Sequence, residues 1–293
     1  MSATLVAAPS RAAGRHTGVR RARARRVLYW IATHAVAVAL TIAFAGPLVF
    51  VLLTAVMSDN QALTDELWPH TWNWANFADV FARSPILVWL RNTMIYAGLG
   101  TLFTLLSSVP VAYALARFRF PGRRLAFLLV ITMMMLPPQV IAVPIYLIWA
   151  RMDLTGTLWP LVLPMLLGDA FSIFLLRQFL LTIPRDYTDA ARVDGCSDLR
   201  TLVRVILPMA RPAIAATALF QFFYCWNDYY GPLLYAGENW TLSVGLASFK
   251  ALHSVQWNLT MAATLLVMAP VIIVFFFAQK VFIEGVTLTG VKG

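Results

Sequence analysis

The strongest constraint on this chain is a recurrence. Six apolar stretches, over roughly residues 27–57, 87–115, 125–149, 158–181, 212–236 and 259–283, are each long enough to be a membrane helix. A bilayer's hydrocarbon is about 30 Å thick and a helix rises about 1.5 Å per residue, so about 20 apolar residues suffice. In lipid the backbone must satisfy its own hydrogen bonds, and stretches this long and this apolar do so as helices. The pattern predicts an all-α membrane protein with six transmembrane helices. Only 12% of residues are charged, against about 25% in soluble domains. The first stretch far exceeds a signal-peptide core of about 7–15 residues. It is expected to be a retained helix, with His34 a tolerated polar residue near its start.

The net charge is +10, and residues 1–26 hold seven arginines: Arg11, Arg15, Arg20, Arg21, Arg23, Arg25 and Arg26. This arm is expected to be disordered. In a soluble protein such a balance would point to nucleic acid. Here no recognisable module presents a basic face, and nucleic acid is set aside as a partner. The arginines instead orient the chain in its lipid. One set of loops carries Arg117, Arg119, Arg123, Arg124, Arg185, Arg192, Arg200, Arg204 and Arg211; the opposite set carries Arg83, Arg91, Arg151 and Lys250. The bias predicts both termini in the cytoplasm, a membrane domain over 27–283 and a cytoplasmic tail over 284–293. Cys196 and Cys225 fall on different sides of a membrane boundary and form neither a disulfide framework nor a metal pattern.

Two further regions carry marks of their own. The first outer loop, roughly 58–86, holds Trp68, Trp72 and Trp74, which suit either a membrane–water interface or a docking surface for an extracytoplasmic partner. The third span contains Pro137, Pro138 and Pro144. Each removes a backbone donor, so this span is expected to be kinked and packed inside the bundle, as a hinge or as a static bend.

The loop over 182–211 differs from the others. Its centre, "DAARVDGCSDLRTLVRVILPMARP", runs from Asp189 to Pro212 with seven charged residues, too many for lipid. Thr182 can cap a helix, Pro184 suits its first turn, and Asp186 and Asp189 lie near the positive end of the helix dipole. Gly195 fits the left-handed position that ends such a helix. Ser197 can cap a second one, with Asp198 in its first turn. Leu199, Leu202, Val203 and Ile206 then recur on one apolar face until Pro208 interrupts it. The expected product is a helix–turn–helix elbow in the cytoplasm. Ala190 and Ala191 leave its first helix thin on one side, able to enter a groove on another protein. An elbow resting on lipid headgroups would want Trp or Phe on its apolar face. Alanines and four aspartates favour docking to protein instead.

These residues resemble a known signature. "DAARVDGCSDLRTLVRVILP" looks like the cytoplasmic loop motif of binding-protein-dependent ABC importer permeases: Glu-Ala-Ala, a glycine shortly after, nine residues, then Ile, any residue, Leu-Pro. Asp189, Ala190 and Ala191 fill the first three places, Gly195 the glycine, Val205 the isoleucine position, and Leu207 and Pro208 the end. Asp for Glu keeps the charge and shortens the reach by one methylene; Val for Ile loses little volume. "AYALARFRFPGRR", "LPPQVIAVPIY", "AFSIFLLRQFLLTIP", "WNDYYGPLLY" and "GVTLTGVKG" are similar to the carbohydrate-importer branch, the maltose-type second permease subunit. The resemblance covers about residue 28 to the C-terminus and leaves out the basic arm. It implies a type I ABC importer permease fold in a bacterial inner membrane. It also implies a related second permease, two ATPase subunits that receive the elbow, an extracytoplasmic solute-binding protein and a carbohydrate-type solute. The tail "GVTLTGVKG" is implied to touch the ATPase as well.

The residues themselves fit a chain that hydrolyses nothing. The phosphate-loop pattern G-x-x-x-x-G-K-[ST] is absent, and the lysines are Lys250, Lys280 and Lys292 alone. No nucleophile elbow or metal-ligand histidine pair occurs, so catalytic residues, metals and cofactors are expected to be none. For a solute, Asp169 lies ten residues after Trp159, about 15 Å into its span. A charge at that depth is expected to face a cavity or pair within the bundle. Trp226, Asn227 and Asp228, beside Tyr224, Tyr229 and Tyr230, form a second group near the outer end. Carboxylates and amides bind sugar hydroxyls and aromatic faces cover C–H patches; the same aromatics also suit an interfacial belt. A second class stays open, an ion-coupled secondary transporter with Asp169 as coupling group. The missing pair of matched broken helices argues against it.

Overall fold

The computed structural model describes residues 13–252 and 256–290. Among the described residues every regular element is helical. Among the described residues four helices are long and apolar enough to cross a membrane, and the number reaches six if two bent pairs each count as one span.

Helix α1 (Ala13–Ala55) opens the chain. It begins inside the arginine-rich arm, where composition predicts disorder, so residues 13–26 extend the first span instead. Extending a formed helix needs no new nucleus, and Ala and Arg have high helix propensity. Residues 1–12 lie outside the described residues. At its far end α1 is pinned by one side chain. Asn76 of α2 (Ala75–Arg83) donates from Nδ2 to the carbonyls of Ala55 and Met57, both at 2.8 Å. These are carbonyls that a helix terminus leaves without an intrahelical partner. Asn76 Oδ1 in turn accepts from Asn73 and from Asn258 of α14 (Trp257–Gly290).

Helix α3 (Ile86–Arg117) is the axis of the fold. Its 32 residues reach about 48 Å, and both apolar clusters form around it. One, at the end of the 58–85 loop, gathers Trp89, Tyr96, Leu161, Val162, Cys225, Trp226, Leu242 and Leu259. The other, at the elbow end, gathers Ala112, Tyr113, Leu115, Ala116, Leu176, Leu180, Leu202, Ile206 and Ala213. Small residues let neighbours approach: a Cβ on Gly100 would stand 2.7 Å from Met165 Sδ and 3.1 Å from Cys225 Sγ.

The third expected span is bent, but not packed inside. Helices α4 (Arg123–Met135) and α5 (Pro138–Arg151) meet at 97°, with Pro138 opening α5. Among their described residues α4 buries none and α5 buries Ala142 alone. Leu125, Leu128, Leu129, Met133, Val140, Val143, Leu147 and Ile148 are each more than half exposed. The sharp bend carries α5 away from the bundle, so the prolines build an arm with an apolar surface rather than an interior kink.

The fourth span is broken. Helix α6 (Trp159–Val162) passes into a 3₁₀ turn (Leu163–Leu167), then Gly168 at φ 99°, then α7 (Ala170–Thr182). Two adjacent serines of α3 repair the gap. Ser107 Oγ donates to Met165 O at 2.7 Å, and the Asp169 N–H donates to Ser108 Oγ at 3.1 Å. Freed backbone groups at membrane depth are tolerated where a neighbouring helix supplies partners. The fifth span is α11 (Arg211–Asn227), followed by a break at Asp228 and a short α12 (Tyr230–Tyr235). An unexpected helix, α13 (Leu242–Leu252), buries Leu242 and Val244 before the last span. Helix α14 continues through residues 284–290 of the expected tail; 291–293 lie outside the described residues.

Candidate functional site

The elbow is built much as its residues require. Helix α8 (Asp186–Val193) carries Asp186 and Asp189 in its first turn. Thr182 does not cap it: that residue ends α7 and donates its hydroxyl to Phe179 O. Pro184 and the Arg185 carbonyl start the helix instead, and Arg185 O accepts from the N–H groups of Thr188 and Asp189. The far end closes as a Schellman turn. Gly195, at φ 74°, donates to Arg192 O at 3.0 Å, and Cys196 donates to Ala191 O at 2.9 Å. Both bonds satisfy carbonyls of the last helical turn. Ser197 then caps α9 (Asp198–Thr201) by accepting from the Arg200 N–H. A π-helical turn (Leu202–Ile206) and α10 (Leu207–Met209) lead into α11 at an angle of 81°.

The apolar face of the second elbow helix is divided. Leu202 and Ile206 enter the core, while Leu199 and Val203 remain exposed. Tyr187 and Val193 are exposed as well, Val193 at 88%. Of the motif residues, Ala191 is buried, Val205 and Leu207 are half-buried, and Asp189, Ala190, Gly195 and Pro208 are exposed. Arg192 is held by Asp198 at 3.2 Å and Asp189 at 4.0 Å. The result is a compact knob that is anchored by Leu202 and Ile206 and has an outer surface of apolar side chains among charges of both signs.

Sequence patterning assigned Arg117 to topology alone. In the structure it staples the bundle to the elbow: its Nη2 donates to the carbonyls of Leu180 and Ile183, both at 2.8 Å, at the end of α7. Arg177 does similar work nearby. Its guanidinium lies 3.7 Å from the Phe127 ring centroid, and its Nε donates to Leu115 O. An arginine facing inward at the end of an apolar span was the available signal.

The polar groups at depth separate into two roles. Asp169 caps α7, its Oδ2 accepting from the Ser172 N–H at 2.7 Å, and stays half-exposed. Asp228 Oδ2 accepts from the Tyr96 hydroxyl at 2.8 Å, and Oδ1 accepts from the Gly231 N–H at 3.1 Å. It joins α11, α12 and α3, and Tyr96 is the partner that sequence reasoning missed. The two carboxylates both act electrostatically on Tyr224 and Cys225, so they belong to one neighbourhood. Trp226 does not share it. At 2% exposure it packs on Phe222 in the core, which removes it from any surface open to a solute. Asn227 is exposed, with its Nδ2 on Phe223 O. At the opposite end from the elbow, Trp68, Trp72 and Trp74 are exposed and pack ring to ring.

Residues 108–287, more than half the chain, match the family described as the binding-protein-dependent transport system inner membrane component. The chain belongs to that family. This permease is 32% identical over 228 residues to the arabinooligosaccharides transport system permease protein AraQ of Halalkalibacterium halodurans, covering 77% of this chain and 81% of the relative. It is 33% identical over 250 residues to the sn-glycerol-3-phosphate transport system permease protein UgpE of Pectobacterium atrosepticum, covering 80% and 88%. A crystal structure of a bacterial ABC transporter that imports the acidic polysaccharide alginate contains a chain of the same fold. Its TM-score is 0.75 at 22% identity, over 88% of this permease and 97% of that chain. The resemblance read from the motifs therefore holds, and the chain is a multi-pass inner-membrane permease of the ABC import class. The ion-coupled alternative finds no support, and the carboxylate on which it rested is a helix cap.

Proposed function

We propose that this permease forms half of the translocation path of an ATP-driven importer of hydroxyl-rich, carbohydrate-class solutes. Its elbow over 182–211 is the coupling element to a separate ATPase subunit. The carrying observation is the elbow itself, a knob closed by two Schellman bonds and rooted in the core, with Tyr187, Val193, Leu199 and Val203 exposed around it. Such a surface is unfavourable in water and suits a protein groove. ATP hydrolysis belongs to the partner, since this sequence has no phosphate loop. The exposed apolar arm of α4 and α5 fits a related second permease, and two ATPase subunits then serve the pair. A solute-binding protein would meet the opposite end, where the tryptophans are exposed. That arrangement puts the elbow and both termini in the cytoplasm. The solute class follows from the relatives, which carry arabinooligosaccharides or glycerol 3-phosphate, and from Asp169, Asn227 and Asp228 with Tyr224, Tyr229 and Tyr230.

The test is a tagged pull-down from gently solubilised membranes, followed by ATPase assay of what comes with it. Co-purification of an ATPase that Gly195→Val loses or uncouples is the expected result. A chain that comes down alone, with uptake driven by an ion gradient, would overturn the reading.

A further inference from the structure

A cavity of about 500 Å³ lies between the end of α3 and the base of the elbow, lined by Arg117, Phe118, Arg119, Arg185, Thr188, Asp189 and Arg192. Four guanidiniums and one carboxylate share it. Among the described residues, Arg192 alone of the four has a carboxylate within 4.0 Å. Arg117 spends its Nη2 on two carbonyls, while its buried Nε has no hydrogen-bond partner. Arg117 lies within electrostatic reach of both Arg185 and Asp189, so one carboxylate is set against four guanidiniums in the lining and the space keeps a positive excess. Thr188 is neutral and its hydroxyl donates to Arg185 O, so it adds no negative charge to the space.

We propose that this cavity is an anion site for a phosphate-class oxyanion. The source is either the headgroup of an anionic phospholipid from the adjoining leaflet or free phosphate. Guanidinium forks match the geometry of phosphate oxygens and form strong charge-assisted bonds to them. Arg119 and Arg185 are the principal ligands, Arg117 supplies fixed positive charge, and Arg192 is shared with Asp189 and Asp198. The volume falls in the range of small-molecule sites. Basic pockets at the membrane face of a helical bundle are suited to phospholipid headgroups. A bound anion would bridge the end of α3 to the first helix of the elbow and add to its stiffness.

The lipid source rests on the cytoplasmic placement of the elbow, but binding is read directly and does not depend on coupling. A failure here leaves ATPase co-purification unaffected. The protein is purified as the assembled complex and as the full chain alone, and retained phospholipid is measured by native mass spectrometry. In a second arm delipidated protein receives inorganic phosphate, or nanodiscs of phosphatidylglycerol or phosphatidylcholine, and the thermal midpoint is followed. Arg119→Gln with Arg185→Gln removes the principal ligands at exposed positions, and Arg204→Gln, on the elbow outside the cavity, is the control. We expect affinity to fall on the order of tenfold for each guanidinium removed, with Arg204→Gln unchanged. Selective retention of phosphatidylglycerol supports the lipid source; stabilisation by inorganic phosphate alone supports the soluble one. Equal binding by the double variant, equal loss in Arg204→Gln, or binding by neither probe overturns the site. So does binding by the free chain that disappears in the complex, because the ATPase subunit would then fill the cavity.

Discussion

The turn between the two elbow helices depends on Gly195. Its φ is 74°, and a Cβ placed there would meet nothing within 4 Å. A substitution therefore creates no clash with neighbours, and its cost is that of the backbone alone. For an L-residue the left-handed region costs about 1–2 kcal/mol. Asparagine occupies it more readily, and a β-branched residue resists it most. At about 1.4 kcal/mol per factor of ten, alanine should shift the local closed-to-open balance on the order of tenfold and valine about thirtyfold or more. Asparagine should stay near wild type. The opening stays local because Leu202 and Ile206 still hold the second helix in the core.

Hydrogen exchange reads this directly. The amides of Gly195 and Cys196 make the two Schellman bonds, and their protection should fall in the order Asn, Ala, Val. Uptake, at equal protein in the membrane, should fall in the same order. Wild-type protection in Gly195→Val would refute the account of the turn. A uniform loss of uptake across all three variants, with graded exchange, would refute the link between stiffness and transport.

Other consequences follow from single contacts. Asn76→Ala strands two carbonyls at the end of α1 and should cost about 2–3 kcal/mol in a region with no role in the elbow, lowering the thermal midpoint of purified protein without changing ATPase co-purification. Asp169→Asn keeps an N-cap and should leave the midpoint unchanged, whereas Asp169→Ala should cost about 1 kcal/mol. If the carboxylate also meets solute, Asp169→Asn alters uptake selectivity, and unchanged uptake kinetics would count against that role. A double-mutant cycle between Tyr96→Phe and Asp228→Asn should return a coupling of about 1–3 kcal/mol, measured by thermal or denaturant unfolding; additive effects would show that the 2.8 Å contact contributes nothing.

What could be read in the residues was local. Gly195, Ser197, Asp186 and Asp189 announce helix ends because capping and left-handed turns depend on a few neighbouring atoms. The apolar stretches announce helices because lipid leaves the backbone few alternatives. Partners far apart in sequence were not legible. Nothing in "LLSSVP" says that Ser107 and Ser108 repair a break sixty residues away, or that Tyr96 reaches Asp228. Trp226 looked like part of a polar group because its neighbours are polar. A helix turns about 100° per residue, however, and that rotation sends Trp226 to the core and Asn227 to the surface. The prolines near Pro137 marked a bend correctly. Whether a bent segment folds inward or outward depends on what else occupies the bundle, and here α3, α7 and α11 already fill it.

The contacts also say how a push on the elbow would enter the bundle. The elbow meets α11 at 81° and continues into it without a loop, so a displacement of the second elbow helix acts on the near end of α11. The far end of that helix carries Asp228, which is tied to Tyr96 of α3 and to the start of α12. The first elbow helix follows α7, and Arg117 fastens the end of α7 to the end of α3. Both routes therefore converge on α3, once at each end. A soft elbow would spend a partner's displacement in its own turn, before either route could carry it. This is why Gly195, remote from any polar group at membrane depth and with open space around it, is a position where a single methyl group should reach transport through backbone freedom alone.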